Sequence, residues 1–219
     1  MFVPDAIHLP PLVRAYDSVA PRWGGIVERL GFAEAYRGLV GEFGVAAPKG
    51  APLRVLDVGC GTGAFAAACL DVLTRSISLT LADPSPRMLA QAQGRLGDRA
   101  APASLQATLA EMRQAPTYHL ILCAHVLDHL PDPIAALSHM GRMLLPGGRI
   151  LLVHSVPHWC SWLVARRWGH RRRRPDEVRA AIAAAGLRLV ADRGFGAGPP
   201  RRMSHAYVID NPTGGTTEC

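Results

Sequence analysis

The sequence predicts an α/β fold, a parallel sheet with helices on both faces, and three observations carry that prediction. Short apolar runs alternate with helix-period patterns from residue 53 to 154, as repeated strand–helix–strand units require. A glycine-rich turn, Gly59-Cys60-Gly61-Thr62-Gly63, joins the first strand directly to the helix that follows. The composition, 49% hydrophobic and 19% charged over 219 residues, suits one globular domain with a sizeable core.

The elements follow in order. Residues 1–50 set Ile26, Leu30, Ala33, Leu39 and Phe43 at helical spacing and run into the breaker-rich stretch 46–52; they read as one or two helices and a linker, a helical lid or cap. Leu53–Val58 is an apolar run stopped by Gly59, and Gly63–Leu73 carries a helical stripe at Phe65, Cys69 and Val72. Ile77–Ala82 is the next strand, Arg87–Leu96 the next helix, Leu105–Thr108 a weaker strand and Tyr118–Ala124 a strong one. Asp132 reads as an N-cap with Pro133 at the first helical position. Ile134, Leu137, Met140 and Leu144 are that helix's expected buried face, Pro146-Gly147-Gly148 its end, and Arg149–His154 the fifth strand. Right-handed crossovers then line up the strand C-termini along one edge, where ligands bind.

Beyond residue 154 the pattern changes. An aromatic and basic stretch, Pro157 to Arg174, reads as an insertion over residues 155–174. Pro175-Asp176-Glu177 opens a helix with acidic residues at its positive end, and Gly186 closes it. Leu187–Asp192 and Ala206–Asp210 look like strands separated by a Gly/Pro/Arg loop. The ligand-binding domain is thus expected over residues 51–210, with a flexible tail at 211–219.

Several classes are set aside by composition. No apolar run approaches the ~20 residues of a membrane span, and Met1 to Pro11 lacks the basic and apolar regions of a secretory leader. Five scattered cysteines without a Cys-x-x-Cys pair argue against a disulfide framework or zinc site, and for a reducing, cytoplasmic setting. The net charge of +7 rests almost wholly on arginine, Lys49 being the only lysine. Such a chain attracts anions, but the same charge follows from an Arg- and Ala-rich composition, so it decides no function.

The most informative segment is Val55-Leu56-Asp57-Val58-Gly59-Cys60-Gly61-Thr62-Gly63-Ala64-Phe65. Glycines permit positive φ and close backbone approach to a ligand, and the helix start offers free N–H groups. Asp83, at the end of the next strand, can accept both hydroxyls of a ribose. That much admits NAD, because Gly59-x-Gly61-x-x-Ala64 also fits the relaxed dinucleotide fingerprint. Asp57 separates the two readings: its charge repels a pyrophosphate and attracts a sulfonium and an amino group.

On these residues the chain resembles the class I S-adenosylmethionine-dependent methyltransferases, small-molecule type (type 11/12-like). Val55–Phe65 is similar to the family's first motif, and Leu81-Ala82-Asp83-Pro84-Ser85 with Met88-Leu89 to its second. Tyr118–Asp132, with the core His125-Val126-Leu127-Asp128-His129-Leu130-Pro131-Asp132, resembles the fourth-strand motif, and Arg142–Arg149 the turn before strand five. The resemblance implies a Rossmann-like, doubly wound seven-stranded sheet with one antiparallel strand. It implies S-adenosylmethionine as cofactor, S-adenosylhomocysteine as product, and Asp57, Gly59, Cys60, Gly61, Gly63, Asp83, Pro84, Met88, Thr108, Leu109 and Cys123 as cofactor contacts. Tyr16, in Ala15–Pro21, resembles the segment that closes over the cofactor, with Trp23 beside it. The chain departs from the family where Ala107–Glu111 replaces the usual Gly-Asp-Ala, and where His119 stands in place of an aspartate.

Methyl transfer from a sulfonium is a direct displacement, so the protein must align the acceptor and exclude water. The acceptor is expected to be a small organic molecule, with an anion as one candidate because arginines crowd the insertion; no nucleic-acid module or metal site is recognised, and the oligomeric state is not encoded in any visible way. If the acceptor is a hydroxyl or thiol, a base assists. His129, His125 and His158 are the candidates, with Asp128 and His154 nearby. Two rivals stay open on the sequence: an NAD-dependent oxidoreductase, and a catalytically inactive cofactor-binding scaffold that regulates a partner.

Overall fold

The computed structural model describes residues 9–45, 50–158 and 171–212. Two helices come first, α1 (Leu9–Arg29) and α2 (Phe32–Phe43), separated by Gly31 at φ +81°. Then β1 (Leu53–Val58), α3 (Ala64–Val72), β2 (Ile77–Ala82), α4 (Pro86–Ala100), β3 (Ala103–Leu105), β4 (Tyr118–Ala124), α5 (Pro133–Met143) and β5 (Leu144–Ser155) alternate. The chain continues through α6 (Pro175–Ala184), β6 (Arg188–Gly194), the short α7 (Gly198–Met203) and β7 (Ser204–Asp210).

The seven strands form one sheet in the order β3-β2-β1-β4-β5-β7-β6. Strands β1 to β5 pair in parallel, whereas β7 runs antiparallel between β5 and β6. Side chains alternate across this sheet, and each central strand is apolar on both sides, as a sheet covered by helices on both faces must be. Leu120 and Leu122 point to one core with Phe65, Leu89 and Leu96 from α3 and α4. Ile121 and Cys123 point to the other, with Leu137, Met140 and Ile182 from α5 and α6.

Several expected boundaries move. The third strand is Ala103–Leu105, not Leu105–Thr108: all three of its residues are exposed at the sheet edge, so no burial pattern marks it. The buried face of α5 holds Leu137 and Met140 as expected, together with Ala136 and Met143, but Ile134, about half a turn from Ala136, is 41% exposed. Leu144 belongs to β5, pairing with Tyr118, and residues 145–148 bulge out before regular pairing resumes at Arg149. Asp132 caps α5 as expected, its carboxylate accepting the Ala135 N–H at 2.9 Å. The Gly/Pro/Arg loop holds the unanticipated α7, β6 runs on past its expected end to Gly194, and β7 begins earlier than expected, at Ser204. Much of the aromatic and basic insertion, residues 159–170, and most of the expected tail lie outside the described residues. No described helix is long and apolar enough to cross a membrane.

Candidate active site

The parallel crossovers bring the loops after β1, β2 and β4, and the end of β5, to one edge of the sheet. There they surround a cavity of about 490 Å³, roofed by Leu12, Val13, Tyr16, Val19 and Trp23 of α1 and walled by Phe32 and Tyr36 of α2. None of its described lining residues is Lys or Arg.

One end is built by the glycine turn. Gly59 has φ +61°, and a Cβ there would lie 2.2 Å from Val126 Cγ2, so the turn after β1 and the loop after β4 meet without room for a side chain. Asp57 is buried at the end of β1, and its Oδ2 accepts the Ala66 N–H (3.1 Å), tying down the first turn of α3. Burial raises the Asp57 carboxyl to about 8, the Ala66 bond opposing and the Asp83 charge adding to the shift. Asp83 accepts the Gly61 N–H at Oδ2 and the Ser85 N–H at Oδ1, both at 2.9 Å, and so joins the first two loops; burial raises its carboxyl also. Cys60, Pro84, Met88, Thr108, Leu109 and Tyr16 line the same cavity.

Three of the expected cofactor contacts stand behind the lining. Gly61 presents its N–H to Asp83, Gly63 packs in the left-handed conformation against Ala92 and Leu96, and Cys123 is buried in the core beneath. His119 bears on none of this. It sits near the start of β4, where its Nδ1 accepts the Arg54 N–H at 3.0 Å, far along the strand from the loop edge. Thr108 spends its hydroxyl and N–H on Glu111 Oε2, both at 2.8 Å.

The other end is histidine-rich. His125 directly follows β4 with φ +61°, a conformation rare outside glycine that recurs at functional sites. Its ring lines the cavity edge-on to Phe32, and Nδ1 lies 3.1 Å from Asp128 Oδ2 and 3.0 Å from Ser155 Oγ. Its Nε2 is buried and has no hydrogen-bond partner among the described residues. Asp128, fully buried, also accepts the Ser155 N–H (3.1 Å) and hydroxyl (2.5 Å) and lies against His154 Nδ1. Burial alone would raise the Asp128 carboxyl, but its bonds with His125 and His154 outweigh that and hold it well below the usual range.

His129 is engaged differently. Its Nε2 meets the Tyr16 hydroxyl at 2.9 Å, and burial pushes the ring down to about 4 despite the nearby Asp128 charge. Burial likewise raises the Tyr16 phenol, with Asp128 and Asp83 adding to it. One residue on, Asp17 pairs with the Ser85 hydroxyl, so α1 is fastened to two loops at once. His158 is not among the residues lining the cavity.

Residues 56–150 match the methyltransferase-domain family. The chain is 31% identical over 185 residues to the ubiquinone biosynthesis O-methyltransferase of Idiomarina loihiensis, spanning 76% of this chain and 70% of that one. It belongs to the class I S-adenosylmethionine-dependent methyltransferases. A second relative of the same name, from Rhizobium rhizogenes, is 27% identical over 65% of this chain and 62% of its own. In fold, the methyltransferase is similar to the N-methyltransferase NodS of Bradyrhizobium japonicum, solved with S-adenosylhomocysteine: TM-score 0.70 at 21% identity, covering 92% of this chain and 98% of that one.

Membership settles the choice that the glycine turn left open between a dinucleotide and S-adenosylmethionine, and the methyltransferase's own residues fit the latter. Asp57 is a buried carboxylate raised to about 8, in a cavity whose described lining supplies no cationic side chain to meet it. A cationic ligand would favour its ionised form and pair with it; a pyrophosphate would oppose that ionisation. Gly59→Ala tests the cradle. It should cost roughly 1–2 kcal/mol for the left-handed backbone alone and push Val126 into the β4 loop, lowering both Tm and S-adenosylhomocysteine affinity. Thermal unfolding and calorimetric titration measure the two.

The sequence did not single out Ser155, Ser204, Thr62 or Phe32. Ser204 Oγ and Thr62 Oγ1 are buried, line the cavity and lack partners among the described residues. A serine at a strand end carries no distinguishing pattern, and only the pairing of Ser155 with Ser204 across β5 and β7 shows that both face the same place.

Proposed function

We propose that the enzyme methylates a hydroxyl oxygen of a small, largely apolar and uncharged organic acceptor, with His125 as general base. The observation that carries this reading is the His125 ring: Nδ1 is held by the buried Asp128, while Nε2 has no hydrogen-bond partner among the described residues. Donation from Nδ1 to a carboxylate fixes the tautomer whose lone pair is on Nε2. His129 is already bonded to Tyr16, and burial pushes its ring down to about 4, which makes it a weak base.

Bound S-adenosylmethionine supplies an electrophilic methyl group on a sulfonium. Asp57, the glycine turn and Asp83 hold and orient it; Tyr16 and Trp23, with the rest of α1, act as the lid that excludes water. With the cofactor bound, His125 would take the proton that the acceptor hydroxyl gives up, and would later release it to solvent. The apolar wall from Leu12, Val13, Val19, Ile26, Val27 and Phe32, with no Lys or Arg among the described lining, suits a neutral acceptor better than an anion. The relatives named as O-methyltransferases agree with transfer to oxygen. A cytoplasmic setting, with reduced cysteines, completes the reading.

The test is a labelled-methyl assay with apolar phenols and enols set against aromatic amines and carboxylic acids, with products assigned by NMR. Methyl ethers are the expected products. Exclusive formation of N-methyl or methyl-ester products would overturn the assignment.

A further inference from the structure

The arginine run left unassigned by the cofactor motifs packs against the turn that carries Asp128, the partner of the proposed base. Arg173 donates from its guanidinium to the carbonyls of Leu127 and Leu130, both at 2.7 Å, which bracket the 3₁₀ turn Leu127–His129. Arg171 N–H donates to the Asp128 carbonyl at 2.6 Å. Arg173 N–H donates to Nε2 of the fully buried His154 at 3.2 Å.

That last bond decides where His154 carries its proton. A backbone N–H can only donate, so Nε2 must present a lone pair and the ring proton belongs on Nδ1. Nδ1 lies against Asp128 Oδ1. His154 is therefore a neutral imidazole whose protonated Nδ1 abuts Oδ1, the carboxylate oxygen that also accepts the Ser155 N–H. The other oxygen is left to the Ser155 hydroxyl and His125 Nδ1.

Resting on the base reading above, we propose that His154, its tautomer locked by the Arg173 backbone, is a positioning residue for methyl transfer. It keeps Asp128 ionised and oriented, so that His125 holds its proton on Nδ1 and offers Nε2 to the acceptor. His154 does not line the cavity, and its effect runs entirely through Asp128. The side chain of Arg173 pins the turn that carries Asp128, so the segment beginning at Arg171 shapes the base from behind.

The experiment uses the full chain saturated with S-adenosylmethionine. Long-range ¹H–¹⁵N correlation of labelled histidines should show His154 and His125 both as Nδ1–H tautomers at neutral pH. His154→Leu should lower kcat ~10- to 100-fold, with acceptor KM and S-adenosylhomocysteine affinity within about twofold, as expected for lost orientation and not lost binding. His154→Asn, which can still donate to Asp128, should recover most of the rate. An Nε2–H or doubly protonated His154, or wild-type kcat in His154→Leu, overturns the proposal. Where His154→Leu does not fold, the spectrum of the wild-type enzyme decides. Full activity in His125→Asn would instead bring down the base reading itself, a result distinct from the loss of the His154 tautomer.

Discussion

His125→Asn is expected to lower turnover by roughly two to four orders of magnitude, the usual worth of a positioned general base, while the protein stays folded and binds S-adenosylhomocysteine as before. Asparagine is the informative replacement because it tolerates the left-handed backbone found at this position. A bulkier residue would add strain and confuse lost chemistry with lost structure. Steady-state kinetics with a competent acceptor, alongside calorimetric titration of S-adenosylhomocysteine, make the check. An acceptor already ionised in solution should be far less sensitive, since it has no proton for the imidazole to take. If the neutral and ionised acceptors lose rate equally, His125 serves some other purpose.

Asp57→Asn should weaken S-adenosylmethionine binding at neutral pH by about 10- to 100-fold, the loss of one charge-assisted contact. The pH dependence is the sharper signature. In the ligand-free protein the Asp57 carboxyl is raised from 3.8 to about 8, so it is protonated at neutral pH, and pairing with a cation must expel that proton. Affinity should therefore climb as pH rises towards about 8, and titration below that pH should release protons to the buffer. Folding stability of the ligand-free protein runs the other way. The folded state binds the extra proton, so this contribution is complete below 3.8 and is lost as pH rises through about 8. Asp57→Asn should remove the Asp57 share of both slopes, leaving the part that comes from Asp83. Calorimetry in buffers of different ionisation enthalpy and Tm against pH measure them.

Both predictions rest on residues that the sequence marked, but not on equal terms. β1, β2 and β4 could be read to the residue, because apolar runs bounded by glycine, aspartate or a turn leave little choice of register. The strand beginning at Ala103 could not be read, since an exposed edge strand of three residues has no hydrophobic signal to give. Asp57, Asp83 and the glycines were legible because a cradle made of backbone demands particular residue types at fixed spacing. The histidines were legible only as a group. His125, His129 and His154 look alike in sequence, and what separates them is which nitrogen faces Asp128, Tyr16 or the Arg173 amide. Likewise, the arginine run suggested an anionic acceptor, yet three of its described members bond the protein's own carbonyls or acids: Arg172 to His158, Arg173 to Leu127 and Leu130, Arg174 to Asp176.

Tyr16 and Asp17 are neighbours on α1, one bonded to His129 beyond β4 and the other to Ser85 beyond β2. A ligand that displaces the helix from either anchor is felt at the other within a single residue's length. Ligands that each shift this helix are thermodynamically linked through it: whatever factor the first to bind imposes on the second's dissociation constant, the second must impose on the first.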